Sequence, residues 1–261
     1  MPSFTGKTFS NFYKNILGIN QASNTGIDST VRTVQDGDGN NTALSLGTRA
    51  VKVTNTTHNT TTAFVTTNSD DENILAVDTT NSLVKAGASQ VNALTLYKEM
   101  GLYEFSPNAA GNHYPLIANR VGMQGAEALT YDDDWGNATD PPTTLDVSGL
   151  TDPENTVAVY WYLDNNITLD SVRYMTVADS PVNISLHLFA YDIDGTTGDL
   201  SNGVVHATAA SVSATPAKLL TGTLTLSTAD IDADKVVVGF VENITDTSDF
   251  SIHLNCKYHI R

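Results

Sequence analysis

The clearest periodicity lies towards the C-terminal end. In FSIHLNCKYHI (250–260), Phe250, Ile252, Leu254, Cys256, Tyr258 and Ile260 alternate with Ser251, His253, Asn255, Lys257 and His259. That two-residue period belongs to a strand with one buried face. Upstream runs repeat the theme: TVAVYWYL (156–163), ITLDSVRYMTV (167–177), VNISLHLFAY (182–191), GVVHATA (203–209), LLTGTLTLS (219–227) and KVVVGFVEN (235–243). Strands separated by turn residues, with no helical stretch among them, predict an antiparallel β-sandwich. A jelly-roll-like arrangement is the first expectation and a closed barrel the alternative.

The front of the chain follows different rules. Phe9, Phe12, Tyr13, Ile16 and Leu17 fall on one face of a short helix, with Thr5 or Thr8 to cap it and Gly18 placed to end it. A helix this short does not persist alone in water, so it is expected to dock, on its own domain or on another chain. Residues 21–95 are rich in Thr, Asn and Ser, which favour extended structure and turns. Within them, NTALSLGTRAVKV (41–53) and NILAVDTTNSLVKA (73–86) form an imperfect repeat, with Leu44, Leu46, Thr48, Val51 and Lys52 answering to Leu75, Val77, Thr79, Val84 and Lys85. Each unit reads as strand–turn–strand, and two hairpins so short of large apolar side chains do not build a self-sufficient core. Neighbouring copies supplying matching surfaces would solve the shortage, so a homo-oligomer is expected.

Residues 96–150 read as irregular, with aromatic positions and the acidic stretch YDDDWGNATDPPTTLDVSGLTDPEN expected on surface loops. The organisation is thus mainly β: residues 1–95 form an attachment and oligomerisation segment (a short helix and extended hairpins), and residues 96–261 a sandwich domain.

Composition narrows the function classes. The 261 residues are 40% hydrophobic and 16% charged, enough for one large or two modest domains. The net charge is −16, and residues 1–60 carry five basic against three acidic side chains, so the deficit lies wholly beyond them. An acidic body repels phosphate backbones, which argues against a nucleic-acid partner. No apolar run approaches the roughly 18 residues of a bilayer-spanning helix, and MPSFTGKTFSNFYKN lacks the features of a Sec-type leader. Neither membrane insertion nor export by that route is expected. The single cysteine, Cys256, excludes an internal disulfide and falls on the apolar face of its strand, where an inert core thiol is expected.

Candidate chemistry is sparse. Asp36-Gly37-Asp38-Gly39-Asn40 carries oxygen ligands at the first, third and fifth positions of a calcium loop, but Gly47 stands where the bidentate acid belongs, so the segment reads as a hairpin turn. Asp192, Asp194 and Asp199 crowd YDIDGTTGDLSNG (191–203) and are the candidate calcium ligands, with Gly203 at the corresponding position. Adjacent aspartates in YDDDW (131–135) read as solvated. The six histidines show no HxxxH spacing, and Cys256 falls on the apolar face of its strand while His253 and His259 fall on the polar one. No nucleophile elbow or phosphate-binding glycine motif is present. No enzyme is expected and no cofactor is required. Tyr131, Trp135 and Tyr162 are candidate glycan contacts if the sandwich is a carbohydrate-binding or host receptor-binding module.

The segments SFTGKTFSNFYKNILGI, STVRTVQDGDGNNTALSLGT, ILAVDTTNSLVKAG and SIHLNCKYHIR resemble structural proteins of marine tailed phages, of the kind carried by cyanobacterial and other oceanic podoviruses. The resemblance touches both ends and is weak over 96–150. It implies a virion protein, often trimeric, attached to other virion proteins by its front part and displaying the sandwich outward as a fibre, appendage or head decoration. It carries over no catalytic residue. On that expectation the protein belongs to the virion, assembled in the host cytoplasm; Phe9, Phe12, Tyr13, Ile16 and Leu17 dock it, and a host surface glycan is a candidate partner.

Overall fold

The computed structural model describes residues 13, 16–21, 26–54, 58–87, 89, 91–105, 110–119, 135, 140–149, 153–243 and 248–261. The chain divides into two compact units, Met1–Ala93 and Leu94–Arg261.

The first unit holds two four-stranded antiparallel sheets. One runs in the order β1 (Gly18–Ile19), β2 (Arg32–Gln35), β3 (Asn41–Gly47), β4 (Ala50–Val53); the other runs β5 (Phe64–Thr67), β6 (Asn73–Asp78), β7 (Leu83–Ala86), β8 (Val91–Asn92). The sequence repeat maps onto equivalent hairpins: Leu46 pairs with Val51 in the first and Val77 with Val84 in the second. The likeness reaches further back than the repeat read from the sequence. Asp36 opens a turn in which its carboxylate accepts from the backbone N–H groups of Asp38 and Asn40 and from the Asn40 amide. Asn68 does the same work in the second sheet: its Oδ1 accepts from the N–H groups of Asp70 and Glu72, and its amide donates to Glu72. Both turns pass through the left-handed region, at Gly39 (φ 86°) and Asp71 (φ 63°). DGDGN is therefore the hairpin turn that its glycines suggest.

The second unit is a two-layer antiparallel sandwich. One sheet runs β10 (His113–Pro115), β18 (Lys235–Asn243), β13 (Val182–Ile193), β14 (Leu200–Ala214), β16 (Thr225–Leu226), with β11 (Trp161–Tyr162) also on β18. The other runs β15 (Leu220–Thr223), β12 (Ile167–Ala178), β19 (Phe250–Ile260), β9 (Thr95–Phe105), with β17 (Asp230–Ile231) also on β12. Apart from β10–β11 and β13–β14, successive strands alternate between the two sheets, the crossing pattern of a jelly-roll-like sandwich. The main core lies between the layers: Leu186, Leu188 and Val241 from one face meet Met100, Val172, Ile252, Leu254 and Cys256 from the other. Burial pushes the Cys256 thiol up to about 12.

The outer face of the β10–β18–β13 sheet is covered too. Phe189, Tyr191, Val236, Val238 and Phe240 form a second cluster with Trp135 and Val159. Strand β13 is therefore buried on both sides over most of its length. That explains why LHLFAY reads as a near-continuous apolar run rather than a clean alternation.

Four expectations are corrected. Residues 96–150, read as irregular, contain all but the first residue of the eleven-residue strand β9, paired along β19. Its pattern is broken at Gly101, where a Cβ would sit 2.6 Å from the Ile252 carbonyl oxygen, so the strand needs a glycine there for close approach. TVAVYWYL is not one strand: Pro153–Ala158 wind into a 3-10 helix, and only Trp161–Tyr162 join a sheet. The Ala158 carbonyl accepts from the N–H groups of Ala118 and Asn119, which holds that turn in place of a ladder. LLTGTLTLS splits between layers, β15 pairing with β12 and β16 with β14, around the buried Leu224. Gly18 begins strand β1 rather than ending a helix.

Candidate functional site

Of the front docking residues, Phe9 and Phe12 lie outside the described residues. Tyr13, Ile16 and Leu17 are exposed; the Ile16 N–H bonds the Tyr13 carbonyl in a single turn, and Ile16 and Leu17 are irregular. The two sheets that follow carry the same character. Cross-strand register puts Leu44, Leu46, Val51 and Val53 on one face of the first sheet, and Phe64, Val77 and Val84 on one face of the second. Leu44, Val51, Val53 and Phe64 are exposed there. Among the described residues of 1–93, the buried apolar side chains are Val34 and Ala76. A fully buried side chain of this size contributes about 1.5–3 kcal/mol, so two of them, one an alanine, stabilise these sheets little.

Polar turns do more of the holding. Asp78 accepts from the N–H groups of Thr80 and Asn81, from the Asn81 amide and from Lys85 Nζ at 2.7 Å. The Lys85 ammonium, then the Asn81 amide, hold its carboxyl at about 2. The Asp78 side chain is closed off from solvent, while that of Lys85 stays partly exposed.

The candidate glycan contacts do not form a platform. Tyr131 lies outside the described residues. Trp135, expected at the surface, is 3% exposed and packs edge-on against Phe240 at 5.1 Å; an indole there closes the second core rather than offering a ring to solvent. Tyr162 is 48% exposed, with its hydroxyl donating to Asp234 at 2.8 Å.

The acidic turn is built but dispersed. Asp192 pairs with Lys235 and accepts from the Asn202 amide. Asp194 caps its own turn by accepting from the N–H groups of Thr196 and Thr197, and Asp199 accepts from the Val147 N–H. Each carboxylate serves a different partner, and among the described residues the three do not gather around one point.

Another group does gather. His113 on β10 stands directly opposite Glu242 on β18, and Ser185 on β13 stands opposite Glu242 from the other side. His187, two residues on from Ser185, therefore shares their face. Nε2 of His113 lies 3.9 Å from Oε2 of Glu242, and the two imidazole centroids are 5.4 Å apart at 64°. One ligand atom from each of His113, His187 and Glu242 falls within 4.8 Å of the others. Both rings are buried, with Phe240 and Phe189 beside them. Burial, together with the neighbouring His113, pushes His187 down to about 4, while Asp140 acts the other way. It is neutral near pH 7. Its Nδ1 lies 3.4 Å from the Thr208 hydroxyl, and its Nε2 has no hydrogen-bond partner. A buried polar atom left so costs about 1–3 kcal/mol. Local spacing could not reveal this trio, because its members come from three separate strands. The one signal was a histidine inside an apolar run buried on both faces.

No family model matches the chain, and no curated protein does. Among solved structures, a chain in the structure of infectious bursal disease virus, Gx strain, is similar at 10% identity and a TM-score of 0.23, over 64% of this chain and 40% of that one. A TM-score of that size is below what a shared fold gives, and the neighbour assigns no function here.

Proposed function

We propose that the chain is a non-enzymatic structural protein of a tailed-phage virion. Residues 1–93 attach it to other virion proteins and intertwine with sister copies, most simply as a trimer, and the sandwich is displayed outward. The observation that carries this reading is the pair of four-stranded sheets whose apolar faces stay open while Val34 and Ala76 alone are buried apolar residues among the described positions. Sheets of that kind gain stability when a second copy covers the face, because the apolar area removed from water is then shared between chains. The resemblance of the front segments to phage structural proteins supplies the virion setting.

The test is incorporation into particles. Ile16→Asp with Leu17→Asp places two charges where exposed apolar side chains stand. The doubly substituted chain should be lost from purified particles while its circular dichroism keeps the sandwich signal. Normal incorporation would refute the attachment role of this segment.

A further inference from the structure

We propose that His113, His187 and Glu242 bind a divalent transition-metal ion of the zinc type, which ties strands β10 and β13 to β18 from the outer face of their sheet. This does not depend on the virion reading.

The donor set is two imidazoles and one carboxylate, the composition of three-ligand zinc sites, with a fourth position open to water or a further group. Calcium and magnesium take all-oxygen sites, so two nitrogen donors point to the later first-row ions. The geometry is close to what such an ion requires. Ligands held about 2.0–2.2 Å from a tetrahedral centre stand about 3.3–3.5 Å from one another. Here the His113–Glu242 pair is at 3.9 Å and all three atoms fall within 4.8 Å. Closing the triangle needs each atom to move inwards by less than about 1 Å, a side-chain adjustment with the strands left in register.

Two independent features support a ligand at this point. The Nε2 atom of His187 is enclosed, at 5% residue exposure, without a hydrogen bond. A bound metal ion would give that atom the partner it lacks. The second feature is the scaffold. Antiparallel register fixes His113 and Glu242 as directly opposed residues, and β18 lies between the two histidine strands, so the ligands sit on rigid neighbours rather than on loops. The ring walls of Phe189 and Phe240 limit water there, which strengthens the attraction between a cation and the Glu242 carboxylate. The contribution of the ion is a cross-strand staple. Strand β10 is three residues long and lies at the edge of its sheet, so it gains the most from one.

The experiment uses the full chain without a histidine tag, stripped with chelator and titrated with cobalt(II), then zinc(II). One cobalt per chain is expected, with the visible d–d bands of a four- or five-coordinate site, displaced by zinc, and a higher melting temperature with either ion. Glu242→Gln keeps the size of the side chain and removes the charge; it should weaken cobalt binding by at least about tenfold and bleach the bands. His187→Gln should do the same. A chain with His58, His253 and His259 all changed to Gln should bind as the parent does. No d–d spectrum, binding that survives Glu242→Gln unchanged, or binding that disappears with the three outlying histidines would each overturn the proposal.

Discussion

Val51→Asp separates a chain that borrows its interior from one that is merely polar. Val51 lies on the apolar face of the first sheet, opposite Leu46, and is 70% exposed. Complete burial of a valine is worth about 1.5–3 kcal/mol, so covering the exposed share in an assembly contributes about 1–2 kcal/mol per chain. Across the copies of a trimer this becomes about 3–6 kcal/mol. Each 1.4 kcal/mol or so is a factor of ten, so losing it weakens association by roughly two to four orders of magnitude. The carboxylate, desolvated in the interface, adds to that loss. In the single chain the same change sits in solvent and should move folding stability by no more than about 0.5 kcal/mol. Light scattering over a dilution series reads the mass, and circular dichroism reads the fold. The parent should hold a multiple of the chain mass while Val51→Asp falls to the monomer, with its spectrum intact. Leu219→Asp, at an exposed position on the sandwich, should leave the mass alone. A parent that is monomeric and fully folded, or a Val51→Asp chain with the parental mass, would refute the reasoning.

Two further outcomes follow from named contacts. Asp78 titrates at about 2 instead of its ordinary 3.8 because Lys85 and Asn81 hold its ionised form. A depressed folded value means that this contribution is complete above about pH 4 and disappears as the pH falls to about 2. NMR of the Asp78 carboxyl should show that midpoint, and Lys85→Met should raise it; a midpoint near 3.8 would refute the contact. Gly101→Ala drives a methyl into the Ile252 carbonyl and should cost the sandwich about 1–3 kcal/mol, a drop of several degrees in melting temperature. A variant melting with the parent would show that the two strands separate freely.

What the sequence disclosed depended on whether a residue's role was local. Alternation in β19 predicted its buried face, from Phe250 to Cys256, because one side of that strand meets the core. Asp36 and Gly39 announced a turn for the same reason: a turn is made from adjacent residues. The match between Asp36 and Asn68 went unseen because the two side chains differ, though both accept from the same N–H positions of their loops. Strand β9 was hidden by Gly101, whose purpose appears only beside Ile252, far along the chain. Trp135 was placed in solvent because the residues around it are acidic, yet the second layer over β13 draws it inwards. His113, His187 and Glu242 were beyond any spacing rule, since only the order β10–β18–β13 makes them neighbours.

The position of β19 has a consequence for synthesis. It lies inside its layer, hydrogen-bonded to β12 on one side and β9 on the other, although it comes last in chain order among the strands of the sandwich. Until residue 260 has emerged from the ribosome, β9 and β12 have no partner between them and present open backbone edges to whatever is nearby. The front sheets, built from short-range hairpins, face no such wait. The sandwich therefore closes only once β19 inserts, and a chaperone would have the most to protect in the interval before that insertion.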